Sequence, residues 1–248
     1  FETWNSKGLR PVKVYHSRTG IEPDYNYVDE VTEEFRSANL DLLIGIGGGS
    51  VLDLTKGVGI LLRNTGKSIV YRGMNKVSKP GVPVVLIPTT AGTGSEVTKT
   101  ASFIDNNSKT KLGINGKYVG CLMSFLDPSL ITSCPPSLTI SSGLDALVHA
   151  TEAITAKTTN RISMFFGQEA MRLLFYSLPI AVSQPENLDA RGDSLLGSYY
   201  AGIAMMNAGG GPASGVSYPV GVFYGVPHGI AGGVFLRGVF EQNIKKGY

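Results

Sequence analysis

The sequence predicts an α/β amino-terminal domain on a parallel sheet, followed by an all-helical carboxy-terminal domain. Three observations carry this. Residues 41–46 (DLLIGI) and 82–88 (VPVVLIP) are short, continuous apolar runs, as expected of strands buried on both faces. Each runs straight into a loop of glycines and small hydroxyl residues. Beyond Cys134-Pro135-Pro136, strand-like runs stop and long patterns with helical period take over. The domain boundary is therefore set there, giving domains 1–134 and 135–248.

In chain order, residues 12–15 (VKVY) read as a brief strand. Residues 27–38 read as a helix with Val28, Val31 and Phe35 on one stripe. Strand 41–46 leads through Gly47-Gly48-Gly49-Ser50 into a helix over 51–62. Strand, glycine turn and helix together aim bare amide N–H groups and a helix N-terminus at an anion, although many such turns serve geometry alone. Asp53, in that helix's first turn, is either a cap-region charge or a ligand contact. Strand 82–88 ends in a second small loop, Thr89 to Glu96. Two such loops after two strands fall at the carboxyl edge of one sheet, where open α/β sheets bind ligands. Residues 101–105 and 110–114 read as a hairpin, with Lys111 on its second strand as a cofactor contact or a solvated edge lysine. Residues 122–126 read as a last strand.

The second half reads as helices over 137–156, 162–181, 188–206 and 230–240, with a less regular apolar segment between Gly211 and Pro227. Met164, Phe165, Ala170, Leu173 and Leu174 are the expected core of the second of these. Asp145 and His149 stand four apart, one turn up the same helix face. Such a pair can grip a divalent cation, or can be a cap and a satisfied buried imidazole. His228 is a candidate third ligand from far downstream.

Composition excludes several classes. With 42% hydrophobic and 17% charged residues the chain is ordinary globular material, and at a net charge of +3 without a dense basic stretch no nucleic-acid partner is expected. No run approaches a membrane span, no signal-peptide pattern follows Phe1, and Cys121 and Cys134 do not form a disulfide scaffold. A cytoplasmic protein without a membrane partner is expected.

Taken as an ordered set, GIGGGSVLDLTK, PTTAGTGSEVT, FLDPSL, GLDALVHATEA and YGVPHGIA resemble the iron-containing (group III) alcohol dehydrogenase family, over residues 41–243. The resemblance implies a Rossmann-like domain joined to a helical one, the architecture shared with dehydroquinate synthase. NAD or NADP and a divalent metal, iron before zinc, would meet between the two. Gly48, Gly49 and Ser50 would hold the cofactor pyrophosphate, and Asp53 is counted with them. Thr89, Thr90 and Thr93 would line the nicotinamide, with Ser95 and Lys111 nearby. Asp145, His149 and His228 match three of the family's four metal ligands. The implied reaction is hydride transfer between the nicotinamide and a small alcohol, aldehyde or sugar-derived carbonyl, with the metal as Lewis acid.

Two departures qualify this. Ser214 stands where the family usually carries its remaining metal-binding histidine, and Tyr218 where it often has a second histidine near the substrate. The chain has three histidines, so only His16 is left over. The alternatives are a metal-free reductase of the maleylacetate-reductase type, with Tyr218 as proton donor, or a catalytically weak homologue retained as a binding protein. A dehydroquinate-synthase-type lyase fits less well, because Arg161, Arg172 and Arg191 are scattered. The family's opening strand and helix and its last quarter are expected to be missing. A homodimer is expected.

Overall fold

The computed structural model describes residues 12–18 and 20–246. In chain order its elements are α1 (Tyr25–Phe35), β1 (Leu43–Gly47), α2 (Gly49–Leu61), β2 (Gly73–Met74), β3 (Val84–Pro88), β4 (Thr100–Asp105), β5 (Thr110–Asn115) and β6 (Met123–Ser124), then α3 (Pro136–Thr155), α4 (Arg161–Ser183), α5 (Leu188–Ala208), α6 (Pro212–Tyr224) and α7 (His228–Lys245). The strands form two three-stranded sheets, ordered β1-β3-β6 and β2-β5-β4. The first is parallel throughout, and Gly47 pairs with Pro88, so the loops after β1 and β3 leave the same edge side by side. In the second sheet β4 and β5 form the antiparallel hairpin expected from the sequence.

Asp24 caps α1 by accepting from the Tyr27 N–H at 2.7 Å. The expected stripe Val28, Val31 and Phe35 is buried against Val58, Leu61 and Phe103 in one core that also takes in Leu86 and Ile114. Each such side chain contributes roughly 1.5–3 kcal/mol. In the helical half the core is mostly small: Ala146, Ala150, Ala170 and Ala201, packed around Leu174, bring α3, α4 and α5 close together.

The structure corrects three expectations. Residues 12–15 are not a strand. Val12 and Val14 are exposed, and the segment is tied to α1, with Lys13 Nζ donating to the Glu34 carbonyl at 2.8 Å and the Tyr15 ring packed on Phe35. Phe165 is not core but 65% exposed, because α4 turns Ser163, Gly167 and Ala170 inward and Phe165, Phe175 and Tyr176 outward, while the neighbouring Phe166 packs half-buried on Ala153, Ala204 and Ala208. The segment after Gly211 is a helix, α6, despite an internal Pro219 that removes one intrahelical N–H. Among the described residues no helix is long and apolar enough to cross a membrane.

Candidate active site

At the shared edge of β1 and β3 the two loops pack on each other. The Thr89 N–H donates to the Gly47 carbonyl at 2.9 Å. A Cβ on Gly48 would lie 3.3 Å from the Thr90 side chain, and one on Gly49 would lie 2.5 Å from Thr93 Cγ2. Only glycine therefore lets the second loop close over the start of α2. That helix opens on Gly48 without a side-chain cap, and Ser50 lies in its first turn. Gly48, Gly49, Ser50, Thr89, Thr90 and Thr93 thus form one continuous small-residue surface at the helix N-terminus.

Asp53 and Ser95 face each other. Ser95 Oγ donates to Asp53 Oδ1 at 2.5 Å, the Ser102 N–H donates to Oδ2 at 2.9 Å, and Lys56 Nζ lies 3.0 Å from Oδ1. Lys56 is buried and also donates to the carbonyls of Ser95 and Thr100. Asp53 therefore ties α2 to the second loop and to β4. Both its oxygens have protein partners.

Glu96, beside this network, is buried, and its Oε1 has no hydrogen-bond partner among the described residues. Burial pushes its carboxyl from the ordinary 4.5 up to about 7, against the pull of Lys56. The folded chain then keeps this proton up to about pH 7, whereas the unfolded chain releases it near 4.5. Between those values the folded state binds more protons, so stability falls as pH rises through the window, by about 3 kcal/mol at most. Urea midpoints at about pH 5 and about pH 8 are expected to fall with pH in the wild type and to fall markedly less in Glu96→Gln. Parallel pH profiles for the two proteins would sink this assignment.

On the helical side, Asp145, His149 and His228 come together, with ligand atoms all within 4.8 Å of one another. Asp145 and His149 lie on α3, and His228 is the first residue of α7. Gly229 makes the meeting possible: a Cβ there would lie 1.9 Å from the Ser141 carbonyl oxygen and 2.9 Å from Asp145 Cβ. The Nε2 atoms of His149 and His228 stand 3.6 and 3.7 Å from Asp145 Oδ1. These separations are too long for hydrogen bonds but suit neighbouring ligands each at about 2 Å from one cation. One carboxylate and two imidazoles match the donor preferences of iron and zinc, so the residues fit a divalent transition metal. His149 Nδ1 is buried without a partner among the described residues. Burial is also the main cause of the downward shift of the His228 imidazole, which favours the neutral, ligating form.

Tyr218 bridges the two halves. Its ring packs on His228 with centroids 4.6 Å apart, and Lys111 Nζ sits 5.7 Å from its centroid. Lys111 is paired with Glu22 at 2.8 Å. Burial, reinforced by Asp145 and Asp53, pushes the Tyr218 phenol up to about 12, so it remains protonated near neutrality. Ser214 does not join the cluster through its hydroxyl, which donates to Glu152 at 2.5 Å. Sequence reasoning missed Lys56, Glu96 and Glu152. Lys56 had a signal in its spacing of three from Asp53; Glu152 had one in its place seven after Asp145, on the same helix face.

The molecule thus sets a parallel sheet with paired glycine and threonine turns beside a helical region with an Asp-His-His cluster. The family described as iron-containing alcohol dehydrogenase matches residues 3–128, and its C-terminal family matches 139–247. The chain belongs to the iron-containing alcohol dehydrogenase family. NAD-dependent methanol dehydrogenase of Bacillus methanolicus is 39% identical over 223 residues, covering 90% of this chain and 58% of that protein. 1,3-Propanediol dehydrogenase of Citrobacter freundii is 36% identical over 228 residues, covering 91% and 59%. Among solved structures, sulfoacetaldehyde reductase from Bifidobacterium kashiwanohense in complex with NAD+ is similar with a TM-score of 0.87 at 29% identity, covering 98% of this chain and 66% of that one. The chain therefore spans about three fifths of the length of the curated relatives it matches.

Proposed function

We propose that the chain carries the site of a nicotinamide-linked oxidoreductase acting on a small alcohol or the corresponding carbonyl, with a divalent cation held by Asp145, His149 and His228. The observation that carries this reading is the convergence of those three donors, from two helices, at separations that leave room for an ion but not for hydrogen bonds among themselves. The relatives' names support NAD and small alcohols, with sulfoacetaldehyde reductase adding a small aldehyde. Iron is the first choice of metal and zinc the second.

When bound, the cation supplies Lewis acidity toward a substrate oxygen, and the nicotinamide supplies or accepts the hydride. The chain's own residues do the rest. The uncapped start of α2, with Gly48, Gly49 and Ser50, offers N–H groups and the positive end of the helix to the pyrophosphate. Thr89, Thr90 and Thr93 line the nicotinamide, with Lys111 at the rim. Asp53 and Ser95 hold the second loop in register by their mutual hydrogen bond. The protonated Tyr218 phenol is the candidate proton donor beside His228. The functional division falls at 134/135, and the assembly is a homodimer.

The test is metal analysis of anaerobically purified protein, followed by NAD-linked and NADP-linked oxidation of short primary alcohols and diols. About one iron or zinc per chain, with metal-dependent turnover, is the expected result. Absence of metal even after reconstitution, with carbonyl reduction retained, would replace this reading by a metal-free reductase that relies on Tyr218. Ser214→His, one turn before Ser217 and Tyr218 on the same face of α6, is expected to tighten zinc binding by roughly tenfold or more. Unchanged affinity would mean that position 214 does not reach the cation.

A further inference from the structure

We propose that Glu152 is a positioning residue for the cation site, acting on His228 through the first turn of α6; this rests on the cation reading above. Helix α3 carries Asp145, His149 and Glu152 on one face, at spacings of four and three. Glu152 is 3% exposed. Its Oε1 accepts the N–H groups of Ala213 at 2.6 Å and Ser214 at 3.2 Å. Its Oε2 accepts the Gly211 N–H at 2.9 Å and the Ser214 hydroxyl at 2.5 Å. One carboxylate thus takes four donors at the start of α6.

This is what α6 lacks in its own sequence. Its N-cap, Gly211, offers no side chain, and the entry is the glycine run Gly209 to Gly211. A helix start without a cap leaves several N–H groups bare, and a carboxylate there is favoured by hydrogen bonding and by the helix dipole together. Here the carboxylate comes from another helix, the one that holds two of the proposed ligands. The first turn of α6 is therefore fixed relative to Asp145 and His149.

A hydrogen-bond chain carries that fixed point to the third ligand. Ser214, clamped by Glu152, accepts the Ser217 hydroxyl at its carbonyl, at 2.6 Å. Ser217 Oγ in turn lies 2.8 Å from His228 Nδ1 and 3.3 Å from Nε2. Tyr218, the next residue, packs on the same imidazole. Glu152, Ser214, Ser217 and His228 thus form a continuous path from α3 to the ring that must turn toward Asp145. Pro219 weakens the helix just beyond, since it removes the N–H that would bond the Gly215 carbonyl.

A residue that merely braced the fold would lower stability and leave a bound metal's surroundings unchanged. The experiment therefore uses cobalt(II) as a spectroscopic probe in the whole chain, comparing wild type, Glu152→Gln, Ser217→Ala and the double variant, with melting temperatures measured alongside. Glu152→Gln keeps the shape but replaces one accepting oxygen by an amide donor. Expected are a cobalt affinity lower by about 10- to 100-fold, an altered visible ligand-field band, and a double variant little worse than the weaker single one, as one shared path demands. A lower melting temperature in Glu152→Gln with unchanged affinity and band would overturn the proposal and make Glu152 a helix anchor only. If Glu152→Gln does not fold, Ser217→Ala decides: unchanged cobalt binding there overturns it equally. A wild type that binds no cobalt removes the cation reading itself, and this inference with it.

Discussion

Replacing His149 or His228 by alanine is expected to lower metal-dependent turnover by about 1,000-fold or more while leaving dinucleotide binding close to that of the wild type. Each change takes one of three converging donors and leaves two, too few to hold an iron or zinc ion against water. The two variants should differ in their structural cost. His149 is 6% exposed in the middle of α3, so its loss also opens a cavity between α3 and its neighbours. His228 begins α7 with its side chain 19% exposed, and its loss should disturb the fold less. Neither residue touches the glycine turn after β1, so titration with NADH should give nearly the same affinity in all three proteins. Elemental analysis supplies the second readout, with metal content well below that of the wild type in both variants. Full turnover in either one would remove the cation from the mechanism.

The parts of the molecule that local chemistry decides were legible in the sequence. Strand β3 is buried on both faces and is therefore a continuous apolar run, whereas β1, read the same way, buries only Leu43 and Gly45 and leaves Ile44 and Ile46 exposed on its other face; the loops after both must be small because each closes on the other. Asp145 and His149 announce themselves by spacing, since one helix fixes their geometry without help. His228 could be suspected but not placed, because its position depends on the close approach of Gly229 to the Ser141 carbonyl. Helix α6 was illegible for a related reason. Its glycine entry and Pro219 argue against a helix, and the carboxylate that caps it sits about 60 residues earlier in the chain. The spacing of three hinted at the pairing of Lys56 with Asp53, but not at its burial, since both carbonyls that Lys56 also donates to come from the loop and strand that follow β3. Residues 12–15 and Phe165 misled in the opposite direction: apolar character predicted burial, but the neighbouring elements offered no place for it.

Replacing Arg191 by alanine is expected to destabilise the folded chain by about 3–5 kcal/mol, among the largest single effects outside the cation site. Arg191, on α5, is 2% exposed. Its guanidinium donates to the Thr139 hydroxyl at 2.9 Å and to the carbonyls of Pro185 at 2.9 Å, Cys134 at 3.2 Å and Thr132 at 3.4 Å. Three of these four acceptors lie in the stretch from Thr132 to Thr139, where the sheet gives way to the helices. One buried cation therefore pins that passage onto α5. Alanine would leave those acceptors without their donor and enlarge a cavity of about 10 Å3 lined by Ala91, Ile131 and Leu178. Lysine would recover part of the loss, because one ammonium on a flexible stem cannot reach all the acceptors that the planar fork spans. Arg172 is the control: it pairs with Glu169 on the exposed face of α4, where an ion pair contributes little, so Arg172→Ala should leave the melting temperature nearly unchanged. At about 2–4 °C per kcal/mol for a chain of this size, Arg191→Ala should melt roughly 6–20 °C lower. A shift no greater than that of the Arg172 control would mean that the passage from sheet to helices is held by packing alone.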